Sequence, residues 1–155
     1  MPRDQGTKTI AENRRARHDY EFLERFEAGL VLTGSEVKSV REGNVQLGQA
    51  FADIRGNEAW LVGASIAEYA QSGSSGHEPA RDRKLLLHRG EIDSLLGKVR
   101  EKGLTLVPTR MYFKDGRVKV EIALGRGRER ADKRRVIADR DAQRQIERAL
   151  KRQRR

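Results

Sequence analysis

The chain has no cysteine in its 155 residues, which excludes disulfides and thiolate metal sites at once. It has only three histidines, His18, His77 and His88, far apart in sequence, and no HExxH pair, phosphate-cradling loop with its lysine, or nucleophile elbow. Gly125-Arg126-Gly127 is too short for a dinucleotide fingerprint and opens no credible βαβ unit. No run approaches the roughly 20 apolar residues of a membrane span, and no N-terminal stretch resembles a signal peptide. The expectation is a soluble, cytoplasmic, non-enzymatic protein with no cofactor, no metal and no membrane partner. Two pairs need weighing against that. His18-Asp19 has the groups for acid–base RNA cleavage, or is a polar pair at the start of a strand. Glu91 and Asp93 are accounted for by the first turn of a helix, where carboxylates favour the macrodipole.

What the chain does have is charge, unevenly placed. Charged residues make up 36% and the net charge is +10. Residues 126–155 hold 13 basic and 5 acidic side chains, whereas residues 21–125 hold 15 of each. A neutral body with a basic tail fits a phosphate backbone, which cations grip by releasing counterions. The tail carries no aromatic residue and almost no apolar face, so an anionic membrane is the weaker partner. The mean hydropathy is −0.80, yet the apolar residues fall in periodic runs, as expected of one folded body with disordered ends.

The polar residues 1–10 are expected to be a flexible N-terminus. Tyr20 to Leu32 reads as a long, bulged strand broken by Gly29. Thr33-Gly34-Ser35-Glu36 predicts a capping box and a short helix ending near Gly43. Phe51–Ile54 and Trp60–Ile66 read as strands joined at Gly56-Asn57, and Gln71 to Gly76 as a loop. Ile92, Leu95, Leu96 and Val99 make one helical face, with Gly103 at its C-terminal cap. Leu104 to Phe113 reads as a strand in which Pro108 implies an edge or a bulge. Lys114-Asp115-Gly116 turns the chain, and Val118, Val120, Ile122 and Leu124 alternate with a wet face of Arg117, Lys119, Glu121 and Ala123. Short strands with two helices suggest a small barrel or an α+β sheet, and periodicity does not choose between them. The tail from Arg126 is helix-permissive but buries little, so it is expected to be disordered when free and helical when bound.

Binding features stand out more than catalytic ones. Asn13 to Tyr20 combines Arg14, Arg15 and Arg17 with His18 and Tyr20, a mix that grips phosphates and stacks on unpaired bases, or else forms a solvated basic helix. Arg81, Arg83 and Lys84 form a second basic cluster, equally readable as an ordinary charged loop.

Asn13 to Tyr20, Glu27 to Ser39, Arg83 to His88, Gly97-Lys98-Val99, Arg117 to Val120 and Asp132-Lys133-Arg134 together resemble the SsrA-binding protein (small protein B) family, in its order and spacing. The resemblance implies a mainly β fold, a small OB-type barrel over 11–125 with short flanking helices, and a basic tail over 126–155. It implies binding to the tRNA-like domain of transfer-messenger RNA and entry, with elongation factor Tu and the alanyl-charged RNA, into ribosomes stalled without a stop codon. It further implies a tail that senses the empty mRNA channel, so that the nascent peptide is tagged for degradation. Carried over by motif, the RNA-contact residues are Glu27, Leu86 and Lys119, with His18, Tyr20, Arg15 and Arg17 as secondary candidates. Gly125, Gly127 and Arg128 match a flexible basic hinge. Asp132, Lys133 and Arg134 match the motif placed at the decoding centre. Ile146 and Leu150 share a helical face suited to the channel wall.

Ala131 departs from the His or Tyr of many members, which removes a ring that stacks on a ribosomal base. Asn44 and Gln46 also replace the usual Lys and Asn. Three rivals remain: another basic OB-type translation protein, a metal-independent ribonuclease built on His18 and a second histidine, and an RNA chaperone acting through its tail.

Overall fold

The computed structural model describes residues 7–69, 76–100, 104–128, 140 and 142–151. Its elements run β1 (Thr7–Glu12), α1 (Arg14–Asp19), β2 (Tyr20–Leu30), α2 (Gly34–Arg41), β3 (Val45–Gln46), β4 (Phe51–Arg55), β5 (Glu58–Val62) and β6 (Ser65–Ile66). They continue with β7 (Arg83–Leu86), α3 (Arg89–Lys98), β8 (Leu104–Lys114) and β9 (Arg117–Gly127). The seven-stranded sheet has the order β1-β8-β4-β5-β7-β2-β9, and β9 returns to pair with β8. That last pairing closes a barrel, so the mainly β reading holds and the α+β alternative falls away.

β8 and β9 form the long hairpin that shuts the barrel. Lys114 pairs with Arg117 across a two-residue turn in which Asp115 (φ 52°) and Gly116 (φ 78°) both adopt left-handed backbone. This is the type I′ geometry whose twist matches the flanking strands, and Asp-Gly is a favoured pair for it. Pro108 sits at a bulge in β8, between register positions Pro108 and Arg110, and not on an edge strand. Leu61, Ile66, Leu85, Leu95, Met111, Val120 and Ile122 fill the interior, none more than 1% exposed.

The structure departs from the sequence reading in several places. Thr7–Ile10, placed in a flexible N-terminus, belong to the strand Thr7–Glu12 on β8. β9 runs to Gly127, so the barrel reaches into the segment assigned to the tail. Trp60–Ile66 is two strands broken at Gly63. α3 ends at Lys98 with Val99 as its cap, and Gly103 lies outside the described residues, as do 71–75 of the loop. Ala123, assigned to the wet face, has no exposed surface, because Ala16 of α1 packs on it with Val107.

One buried ion cluster holds α2 to the barrel. Thr33 and Glu36 form the expected capping box, but Glu36 is fully buried and does more. Its carboxylate accepts from Thr33 N (2.8 Å), Arg81 Nη2 (2.6 Å), Arg81 Nε (3.1 Å) and Arg83 Nε (2.6 Å). Burial opposes its ionisation, but those donors outweigh it and hold the pKa at about 2. Arg83, also fully buried, directs its remaining donors at the carbonyls of Ala64 (3.0 Å) and Pro79 (2.9 Å).

Candidate nucleic-acid interface

Glu27, Leu86 and Lys119 come from three different strands and are neighbours. Gly29 of β2 pairs with Leu86 of β7 on one side and Lys119 of β9 on the other. Glu27 stands two residues before Gly29, on the same face by strand alternation. The three line one shallow concavity of about 260 Å³ with Gly29, Leu87, His88 and Glu91. Within Leu85-Leu86-Leu87 the strand pleat decides the outcome: Leu85 is buried and Leu86 is 53% exposed. Gly29 keeps Leu86 close, since a Cβ there would stand 3.3 Å from Leu86 Cβ.

Glu27 is held from β8. Tyr112 Oη donates to its Oε2 at 2.6 Å, and Lys114 Nζ lies 3.3 Å from both carboxylate oxygens. The Tyr112 hydrogen bond is the main cause that lowers the Glu27 pKa. Partial burial opposes it, while Lys114 and the charge of Lys119 assist. Sequence reading missed Tyr112 and Lys114. The signal for them is the β8–β9 register, in which Tyr112 faces Lys119.

The remaining RNA candidates form a separate cluster at the other end of β2. Tyr20 pairs with Gly127 of β9, and at ~3.3 Å per residue it stands roughly 23 Å from Glu27. Asn13 is buried and fastens α1: Nδ2 donates to the carbonyls of Leu47 (3.1 Å) and Pro108 (2.8 Å), while Oδ1 accepts from Ala16 N (3.1 Å). Arg14, Arg15, Arg17 and His18 remain exposed. Asp19 Oδ1 lies 2.9 Å from His18 Nδ1, and Asp19 Oδ2 lies 3.6 Å from Arg15 Nε. Arg15 and Tyr20 line a concavity of about 390 Å³ whose rim includes Phe51, an aromatic side chain 42% exposed that the sequence reading left out. In the second basic cluster Arg83 is inaccessible to any ligand, and Arg81 is committed to Glu36.

The hinge assignment needs correction. Gly125 and Gly127 lie within β9 and pair with Phe22 and Tyr20, and Arg128 N donates to the Asp19 carbonyl at 2.8 Å. Gly125 is needed for close approach: a Cβ there would meet Tyr20 Cβ at 3.0 Å. The segment through Arg128 is therefore tied to β2 and α1 rather than a swivel. Asp132, Lys133, Arg134 and Ala131 lie outside the described residues. Residues 142–151 are helical and exposed, with Ile146 and Leu150, 55% and 50% exposed, one turn apart on one face.

His77 is buried, its Nε2 donating to the Ile66 carbonyl at 2.9 Å and its Nδ1 2.9 Å from Ser35 Oγ. His88 caps α3. Among the described residues no group of three His, Asp or Glu side chains could hold a metal ion, and no helix is long and apolar enough to cross a membrane.

The SmpB protein family matches residues 10–152. An SsrA-binding protein of Parafrankia sp. (strain EAN1pec) is 55% identical over 99% of this chain and 97% of its own. One of Anaeromyxobacter dehalogenans (strain 2CP-C) is 56% identical over 98% and 93%. A solved chain described as "tmRNA-SmpB: a journey to the center of the bacterial ribosome" is 47% identical, with a TM-score of 0.67 over 82% of this chain and 93% of that one.

Proposed function

The chain belongs to the SmpB family of SsrA-binding proteins, and from that premise we propose that it binds the tRNA-like domain of transfer-messenger RNA and acts with it in trans-translation, in the cytoplasm. The observation that carries the reading is the meeting of Glu27, Leu86 and Lys119 on one face. These are the positions onto which the family resemblance carries its RNA contacts, and they are 59 and 33 residues apart in the chain.

The chemistry suits RNA. Lys119, Lys114 and Arg117 line an adjoining concavity with Glu27, supplying cations for phosphates, while Glu27 accepts from bases or ribose and Leu86 offers an apolar contact. In this reading the protein binds and does no chemistry. The RNA, charged with alanine and carried by elongation factor Tu, enters the empty A site with the protein. The tail then occupies the vacant mRNA channel, through Asp132-Lys133-Arg134 at the decoding centre and Ile146 and Leu150 further along. Translation resumes on the RNA's own frame, and the nascent peptide receives its degradation tag.

The test is a titration of the full chain against the tRNA-like domain with excess ordinary tRNA present at physiological salt. Tight binding that survives the competitor is expected. Binding that the competitor erases would favour a general basic translation factor instead. Removing residues 129–155 is expected to keep selective RNA binding and abolish rescue of stalled ribosomes. Loss of both would point to a chaperone working through its tail.

A further inference from the structure

Glu27 is 39% exposed at its side chain, and an exposed glutamate ordinarily samples several rotamers. Here it is clamped by a buried residue. Tyr112 is 3% exposed, the Arg110 guanidinium lies over its ring at 4.3 Å, and Arg110 is itself held by Glu121 at 3.5 Å. Glu121 in turn accepts from Thr109 Oγ1 at 2.5 Å. Glu27 Oε2 takes the short Tyr112 bond, while Oε1 has only the longer Lys114 contact.

We propose that Tyr112, with Lys114, is a positioning residue that fixes Glu27 as an aimed acceptor for a donor group of the RNA, a base amino or imino edge or a ribose hydroxyl. This rests on the proposed function, in which Glu27 faces RNA. An ionised carboxylate has no hydrogen to donate and repels phosphate. Set between Lys114 and Lys119, it divides the face into points that attract the backbone and one point that rejects it. RNA settles there only in a register that brings a donor to Glu27. The clamp thereby turns a cationic face that would suit any polyanion into one that selects a register.

The groups facing Glu27 are Tyr112, Lys114 and Arg110 from β8, Asp115 of the turn, Arg117, Lys119 and Glu121 from β9, His88 and Glu91 at the start of α3, and Arg25 on its own strand. Tyr112→Phe deletes one hydroxyl and leaves all the others in place, so a difference from the parent chain reports the clamp alone.

Two measurements decide it. In the full-length free chain, the Glu27 carboxyl is titrated by carbon NMR. Tyr112→Phe is expected to move its midpoint up toward the ordinary glutamate value, whereas an unmoved midpoint would overturn the clamp. In the second, the tRNA-like domain is titrated with the parent chain, Tyr112→Phe, Glu27→Ala and the double variant, each with its thermal unfolding recorded. Tyr112→Phe is expected to weaken binding about tenfold, the size of one hydrogen bond to a charged group, and to cost nothing further once Glu27 is Ala. Independent, multiplying losses would overturn the positioning role and leave RNA binding intact. If the parent chain shows no preference for this RNA over tRNA, the proposed function falls and the inference falls with it.

Discussion

Arg83 Nε lies 2.6 Å from Glu36 Oε2 with both side chains fully buried, so the charge of one is what makes the other tolerable. Arg83→Ala strands a carboxylate in the interior with Arg81 as its remaining cation. The expected loss is about 3–5 kcal/mol, the usual result of breaking a buried pair from one side. Urea unfolding at neutral pH checks it. A loss below about 1 kcal/mol would show that Arg81 alone suffices.

The same pair sets an acid limit. Glu36 has a native pKa of about 2 against an ordinary 4.5, so below 4.5 the unfolded chain binds a proton that the native one refuses. The contribution is fully present above pH 4.5 and is lost as the pH falls from 4.5 through about 2. Glu36→Gln is expected to be less stable at pH 7 and to show a flatter stability profile across that window. Equal slopes for the two proteins in urea titrations at about pH 3 to 5 would contradict this assignment.

A methyl group on Gly125 would stand 3.0 Å from Tyr20 Cβ, so it cannot enter without a shift of Tyr20. Gly125→Ala is expected to cost about 1–3 kcal/mol, as overpacking does. Adding Tyr20→Gly, which removes the Cβ in contact, should recover part of that cost even though it removes a ring. Thermal melts of the two single variants and the double variant resolve the question through their coupling.

Asn13→Ala removes the N-terminal cap of α1 and leaves the Leu47 and Pro108 carbonyls without that donor. About 2–3 kcal/mol is expected. Asn13→Asp should be worse, since it sets a carboxylate against two carbonyl oxygens. Circular dichroism melts of both suffice, and an Asp variant as stable as the parent would disprove the orientation of the Asn13 amide.

Lys119 and Leu86 should differ in salt dependence if the RNA reading holds. Lys119→Ala is expected to reduce the slope of log affinity against log salt by about 0.7–0.9, the equivalent of one phosphate contact. Leu86→Ala should weaken binding while leaving the slope unchanged. Titrations at several salt concentrations separate the two.

What could be read from the chain alone follows the reach of the interaction. The Thr33–Glu36 capping box, the Asp115-Gly116 turn and the alternation from Arg117 to Ile122 are written within a few residues, and each is present. Arg83 looked like an ordinary member of a basic cluster because its partner is 47 residues away. Ala123 looked wet because the helix that covers it begins at Arg14. Thr7–Ile10 looked unstructured because the strand that pairs with them begins at Leu104. Phe51 and Ala52 reverse the hydropathy order, with the large ring exposed and the small side chain buried. In the site, the family motif supplied Glu27, Leu86 and Lys119, but not Tyr112, whose importance comes from a cross-strand contact rather than from its neighbours in sequence.

The strand order gives the chain a form of quality control during its own synthesis. Glu27 and Leu86 emerge early, but Lys119 belongs to the last strand, and β9 is the piece that joins β2 to β8 and shuts the cylinder. A chain released before Lys119 carries two of the three candidate residues and none of the assembled surface. Possession of this face therefore requires that the polypeptide was read at least through Lys119 of the last strand.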